Sequence, residues 1–420
     1  MKFHPKILLC GALFVPMALA GCSGGSSNSG STPSSFRALG SFDVTSIGGQ
    51  VAEIVDITPD GNTLLYTDSE AGELGFLNVS NLSGISEIAR LDMGGEPTSV
   101  AVTRDGSHAI VVVAGANEAR VIRLSDRTVV RTFSLGGQPD AVAISPDGSY
   151  ALIAIENQRP DEDAALPVAP AGYLYRIRLN GTNVANWVGT QINLSLPGNL
   201  RFSGDPEPEF IDINERNVAA VTLQENNAVA IVDLPSGSVS YFDAAATTHA
   251  ADLTDNGTIS FTETLTNARR EPDGIAWTPR GNLITANEGD YDLDLTAGQF
   301  TGGRNFTIFG RSGNVVFDDP GNMEREVANA GRYADSRSDA KGVEPENVKV
   351  GKFGNRSFAF IALERANSLA VYRLDNESNP TFVQILPTGS RPEGIAINKR
   401  RNIVVTANEN DGTLSFFGPQ

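Results

Sequence analysis

The residues best equipped for chemistry in this sequence are carboxylates, and they recur at two fixed positions of a repeated pattern. One set follows a proline: Asp140, Glu209, Asp273, Glu346 and Glu393, with Thr98 at the same place in a further copy. The other set ends the next apolar run: Glu118, Glu156, Glu225, Glu288, Glu364 and Glu409. The densest copy is RREPDGIAWTPRGNLITANEGDYDLD, residues 269–294, which adds Glu271 before its proline and Asp290, Asp292 and Asp294 after its second run. Oxygen-rich groupings of this kind suit a hard cation, and Ca2+ takes roughly six to eight oxygens in flexible geometry. Zn2+ or Cu2+ would bring histidine or cysteine, and after residue 22 only His108 and His249 are present. Glu271, Asp273, Glu288, Asp290 and Asp292 are therefore the candidate metal ligands, with Ca2+ the expected ion.

The other repeat carboxylates and nearby arginines form a candidate ligand-binding set: Glu209, Glu225, Glu346, Glu364, Arg365, Glu393, Glu409, Arg304 and Arg337. Two further readings stay open. Arg365, Arg391, Arg269 and Arg270 pair the acids internally, or the acids stay solvated. No catalytic residue is assigned, because there is no nucleophile elbow and the histidines are too few and too poorly placed for a Ser-His-Asp set. A second loop, DLTDNGTISFTE at 252–263, matches an EF-hand in part. Thr254 stands where the third acid belongs and the flanks are not helical, so a polar β-loop is expected there.

Positioning such residues falls to a repeat. GGEPTSVAVTRDGSHAIVVVAGANEARVIRL from Gly94, GGQPDAVAISPDGSYALIAIEN from Gly136 and GSRPEGIAINKRRNIVVTANENDGTLSFF from Gly389 share one plan. Each has an apolar strand, a turn such as Pro-Asp-Gly, a second strand, a polar loop and a third strand. Similar copies start at Asp205, Arg270 and Gly342, and a seventh, without the proline, at Gly48. A fourth strand closes most units, but the last copy stops at GTLSFFGPQ. The segment FRALGSFDV, residues 36–44, is free to supply it. Pairing the two would close a ring and remove open sheet edges. The expected fold is all-β, a seven-bladed β-propeller over 36–420 with an N-terminal strand completing the last blade. In a propeller the first strand of each blade lines the channel, so both acid sets gather at one mouth. Like charges that close raise one another's pKa, and something positive must offset them.

The ends and the composition fix the setting. MKFHPK followed by ILLCGALFVPMALA reads as an export leader, residues 1–21, its apolar run too short to span a bilayer. Leu19-Ala20-Gly21-Cys22 resembles the bacterial lipobox, which implies acylation of Cys22 and loss of Cys10 with the leader. A mature chain with one lipidated cysteine has no disulfide and no thiol chemistry. Residues 22–35 are a Gly/Ser-rich tether. Ser23 after the cysteine favours the outer membrane by analogy. The formal charge of −18 argues against nucleic acid or anionic lipid surfaces as partners.

ITANEGDYDLD, GGRNFTIFG and GRYADSRSDAKGVEPENVKVGKFGNRSFAFIALERANSLAVYRL resemble the choice-of-anchor I group of bacterial extracytoplasmic propellers. The repeats also resemble the YVTN type of surface-layer proteins. The resemblance is strongest over 205–417 and implies a secreted or surface-attached propeller. Some members are labelled alkaline-phosphatase-like, which implies metal-assisted phosphate-ester hydrolysis. Two functions are therefore expected to compete. One is a lipid-anchored binding module with a Ca2+-holding mouth, engaging an envelope protein or small molecule, or acting as a scaffold in envelope assembly. The other is a metal-dependent phosphoesterase, with Arg304, Arg332 or Arg337 clamping phosphate. Against the second, RSDAKGVEPE orders a long loop through ion pairs.

Overall fold

The computed structural model describes residues 33–158, 170–288 and 302–420. Asp290, Asp292, Asp294 and Cys22, with the leader and most of the tether, lie outside these residues. Seven four-stranded antiparallel sheets follow one another along the chain. They are blade 1 (55–92), blade 2 (96–134), blade 3 (139–193), blade 4 (211–243), blade 5 (272–318), blade 6 (345–387) and blade 7, which joins 392–419 to Phe36–Asp43. A two-stranded sheet, Ala246–Ala251 with Glu263–Arg269, stands between blades 4 and 5. Helix α1 (Asn322–Asn329) stands between blades 5 and 6.

Strand position within a blade explains the sequence pattern. Second strands such as His108–Ala114, Tyr150–Ile155 and Val218–Leu223 are buried at every residue because a neighbouring blade covers each face. They accordingly read as continuous β-branched and apolar runs. Outer strands such as Thr128–Ser134 have most of their side chains in contact with solvent. The core lies in layers between blades, as where Leu152 and Leu174 of blade 3 pack with Val221 and Ala230 of blade 4. The turns between first and second strands are locally wired. Thr58 Oγ1 donates to Asp60 Oδ1 at 2.6 Å, and Gly61 takes a φ of +77°.

Ring closure occurs as the repeat count demands. Phe36–Asp43 pairs antiparallel with Thr413–Pro419, Phe36 opposite Pro419 and Asp43 opposite Thr413. The Phe36 ring is 2% exposed and meets Phe353, Phe358 and Phe360 edge-on at 5.0–5.1 Å. Its backbone is held by the Gln384 amide, with Phe36 N donating to Oε1 at 2.8 Å and Nε2 donating to the Phe36 carbonyl at 2.9 Å. The closing strand is thereby latched to blade 6 as well as to blade 7.

The first strands of the blades line the channel, and each starts with an irregularity. Pairing slips between Pro139 and Val142, Pro272 and Ile275, Pro345 and Val348, and Pro392 and Ile395. The slip spans the acid that follows each proline and frees it from the regular pleat. Neighbouring first strands touch there. A Cβ on Gly394 would lie 2.4 Å from the Glu53 carbonyl oxygen, and one on Gly274 2.5 Å from Asn347 Cα. Gly394 N donates to the Glu53 carbonyl at 2.9 Å, and Asp56 Oδ2 accepts from Val102 N at 2.7 Å. Below the mouth, a cavity of about 190 Å3 is lined by Asp56, Asp212, Asn347 and Lys349, among others.

An acidic channel mouth as candidate site

The two acid sets do meet at one end of the channel, and their surroundings divide them. Glu156 follows the second strand of blade 3, Glu209 precedes the first strand of blade 4, and Glu225 lies just beyond the second strand of blade 4. One carboxylate oxygen from each lies within 4.8 Å of the others. A second group joins Glu288 of blade 5 to Glu344, Glu346 and Glu364 of blade 6 at the same spacing. Asp273 shares a hydrogen bond with Glu346 of the second group.

Burial and like charge push the protons back onto this mouth. Glu156 is held well above the usual carboxylate range by burial and then by Asp140 and Glu225, and Glu209 by burial and then by Glu225 and Asp273. Asp273, Glu346 and Glu393 are raised in the same way, and Asp140 to about 6. Two carboxylates that share a hydrogen bond cannot both ionise cheaply, so the Asp273–Glu346 pair holds a proton between them.

The blade 5 and 6 group carries its own cations. Lys341 Nζ lies 2.5 Å from Glu288 Oε1, and Gln224 Nε2 donates to Glu288 Oε2 at 2.9 Å. Glu344 pairs with Arg337, and with Arg365 Nε at 2.7 Å. Burial alone would raise Glu344, but its hydrogen bond with Glu364 and the charges of Lys341, Arg365 and Arg337 bring it down to about 2. Glu364 moves the other way, to about 7, through burial and the Glu344 charge. Arg391 lies 3.3 Å from Glu364 and 3.9 Å from the half-exposed Glu409.

Several residues singled out from the sequence stand elsewhere. Glu271 is fully buried and held between Arg201 at 3.0 Å and Arg269 at 2.7 Å. Its φ is +45°, and its backbone N–H donates to Asn227 Oδ1 at 2.8 Å. It braces the loop before Pro272 and is outside both carboxylate groups. Arg270 pairs with Asp318 at 2.7 Å, at the outer strand of blade 5. Arg304 is 1% exposed and donates to the carbonyls of Asp252, Ser338 and Ala340. Arg332 donates to the Asn367 carbonyl. In the 252–263 loop, Asp252 accepts from Thr254 N and Ser260 N, and Glu263 from Leu253 N and Thr254 Oγ1. Those carboxylates hold a polar β-loop, with strands rather than helices on its flanks.

The structure also adds residues. Glu53 takes the mouth position in blade 1, one residue beyond the others, and burial with Glu409, Asp140 and Glu96 raises it to about 7. Its signal in the sequence is weak because that repeat lacks the proline. Lys341 and Glu344 sit in RSDAKGVEPE, where ion pairing was expected but not with Glu288. A cavity of about 640 Å3 lies at the opposite end between blades 1 and 2. Its Asp60 and Asp105 are spent on their own turns, and His108 is tied to Ser107 Oγ at 2.7 Å.

Seven closed blades around an acid-lined mouth define a β-propeller built from repeats, with its polar chemistry gathered at one end of the channel. The sequence matches the choice-of-anchor I domain over residues 53–299 and 292–377, and the chain belongs to that family. Membership suggests a cell-surface or envelope protein. Among solved structures the fold is similar to hydrazine synthase of Kuenenia stuttgartiensis, at 14% identity and a TM-score of 0.59, covering 88% of this chain and 96% of that one. It is also similar to virginiamycin B lyase from Staphylococcus aureus, at 13% identity and 0.59, covering 92% and 100%. A third likeness is the Cps50 (Swd1) propeller of Myceliophteria thermophila, at 11% and 0.57, covering 92% and 100%. At such identities the likeness concerns the fold alone. No curated protein matches the sequence.

Proposed function

We propose that the chain is an extracytoplasmic interaction module, lipid-anchored at Cys22 in the outer membrane, whose channel mouth takes up Ca2+ or a cationic group of a ligand. The observation that supports this most is the buried carboxylate group Glu156, Glu209 and Glu225, whose oxygens converge within 4.8 Å. Burying like charges is costly unless a cation or protons neutralise them. Ca2+ is the hard ion that a set of carboxylates alone suits. A binding role is favoured over phosphate-ester hydrolysis because the arginines expected to clamp phosphate are engaged elsewhere. Arg304 and Arg332 donate to backbone carbonyls, and Arg337 pairs with Glu344. Among the described residues no helix is long and apolar enough to cross a membrane.

Two measurements test this reading. Detergent-phase partitioning of the full chain is expected to require Cys22, so Cys22→Ser should move it to the aqueous phase. Thermal unfolding of the full chain is expected at a higher midpoint with Ca2+ than with a chelator, since an ion bound only by the native state stabilises it. No rise with Ca2+, Mg2+ or Mn2+ would remove the cation from the proposal.

A further inference from the structure

We infer that Glu156, Glu209 and Glu225 form a single divalent-cation site between blades 3 and 4, a placement that rests on the cation-binding reading above and moves its centre away from blade 5. The spacing suits one shared ion. Ca2+–oxygen bonds run about 2.3–2.6 Å, so two ligands of one ion stand at most about 5 Å apart. The three carboxylates meet that limit, with one oxygen of each within 4.8 Å of the others. Their residues are 6%, 8% and 9% exposed, so bulk water is largely kept from them.

The observation that points to a ligand is at Glu209. Its Oε2 is sealed from solvent and has no hydrogen-bond partner among the described residues. An ionised carboxylate offers about four acceptor sites, and leaving one buried and unmet is costly. Glu209 is raised by burial, Glu225, Asp273, Glu156 and Asp140, all of one sign. In the blade 5 and 6 group the comparable burden is met from within, by Lys341, Arg337 and Arg365. An external ion meets the open Glu209 oxygen of the first group and is redundant in the second.

The three ligands are also preorganised. Glu209 N donates to the Thr222 carbonyl at 3.1 Å, and the Glu225 carbonyl accepts from Arg201 Nη1 at 3.1 Å. Asn157 N, next to Glu156, donates to the Gln138 carbonyl at 3.2 Å. Gly172 closes blade 3 against the segment before Glu209. A Cβ there would lie 2.1 Å from the Pro206 carbonyl oxygen, 2.7 Å from Pro208 Cδ and 2.9 Å from the Glu156 carbonyl oxygen. Blades 3 and 4 are thus clamped together where the carboxylates converge.

The test compares thermal midpoints of the full-length chain in detergent, in excess Ca2+ and in EGTA, with bound calcium counted by equilibrium dialysis. Wild type is expected to gain about 3 °C or more with Ca2+ and to hold one ion per chain. Glu209→Gln and Glu156→Gln are expected to lose both the shift and the ion, while Glu346→Gln keeps them. In EGTA, Glu209→Gln is expected to melt at or above wild type, because an unpartnered carboxyl crowded by other acids has been removed. Retention of the full shift and ion by both Glu209→Gln and Glu156→Gln would overturn this placement while the cation-binding mouth stands. Loss of the response together with a large drop in the EGTA midpoint would also overturn it, since the glutamate would then be structural. No shift and no bound calcium in wild type would overturn both.

Discussion

The two sides of the channel mouth solve one electrostatic problem in different ways. Around blades 5 and 6, Glu288, Glu344, Glu346 and Glu364 converge on cations of the same chain: Lys341, Arg337 and Arg365. Around blades 3 and 4, Glu156 and Glu209 form no ion pair among the described residues, and Glu209 keeps an unmet oxygen. Equal density of acid therefore does not mean equal function. The Lys341 side is a structural brace, and the side where Glu209 keeps an unmet oxygen is where we propose that a ligand gains most by binding.

The comparison is broken most severely at Lys341. Lys341→Met strands Glu288 in a buried setting, and loss of one partner of such a pair costs about 3–5 kcal/mol. A lowered urea midpoint is expected, with much of it restored in the Lys341→Met/Glu288→Gln double variant. Next in size is Glu344→Gln, which removes a carboxylate held at about 2. Because the folded pKa lies below the unfolded one, its contribution is full above roughly pH 5 and is lost as pH falls toward 2. The deficit against wild type should be about 3 kcal/mol at pH 7 and vanish near pH 2 in denaturant titrations.

The same change of acid to amide should reverse sign across the mouth. Glu209→Gln in EGTA is expected to raise stability at pH 7 by about 1–2 kcal/mol, as relief of an unpaired buried carboxyl. A destabilisation of the size found for Glu344→Gln would erase the distinction between the two sides. A control lies away from the mouth. Glu324 in α1 is fully buried, and burial lifts it to about 7 despite Arg304 and His249. A raised carboxyl makes stability fall as pH rises from about 4.5 to about 7. Glu324→Gln should flatten that decline by about 3 kcal/mol without changing any response to Ca2+.

Most of the architecture was legible because it is written in short range. The proline-acid start, the Asp-Gly turns and the buried second strands recur in each copy, so seven blades and the closing role of Phe36–Asp43 follow from counting. The site was less legible because its contacts run between copies. Spacing within one hairpin places Asp140 near Glu156, but the partners that complete the group, Glu209 and Glu225, come from the next blade. Glu271 looks like a ligand by density alone. Its left-handed φ and its place between Arg201 and Arg269 depend on a distant loop and on the turn of blade 4. Lys341 was hidden for the same reason, since its loop reaches Glu288 across a sequence interval that no local pattern encodes. Asp290 and Asp292 lie outside the described residues.

The strand that closes the ring has a consequence for how the molecule is made. Phe36 meets Gln384 across a sequence separation of 348, and its strand pairs with the last one, Thr413–Pro419. A chain emerging from its N-terminus can assemble blades 1 to 6 by local hairpins, but blade 7 must wait for the final segment. Until then Phe36–Asp43 has no strand to pair with, and closing so long a loop is slow. Maturation therefore ends on one late zipping event, in which the earliest-made strand is captured by the latest.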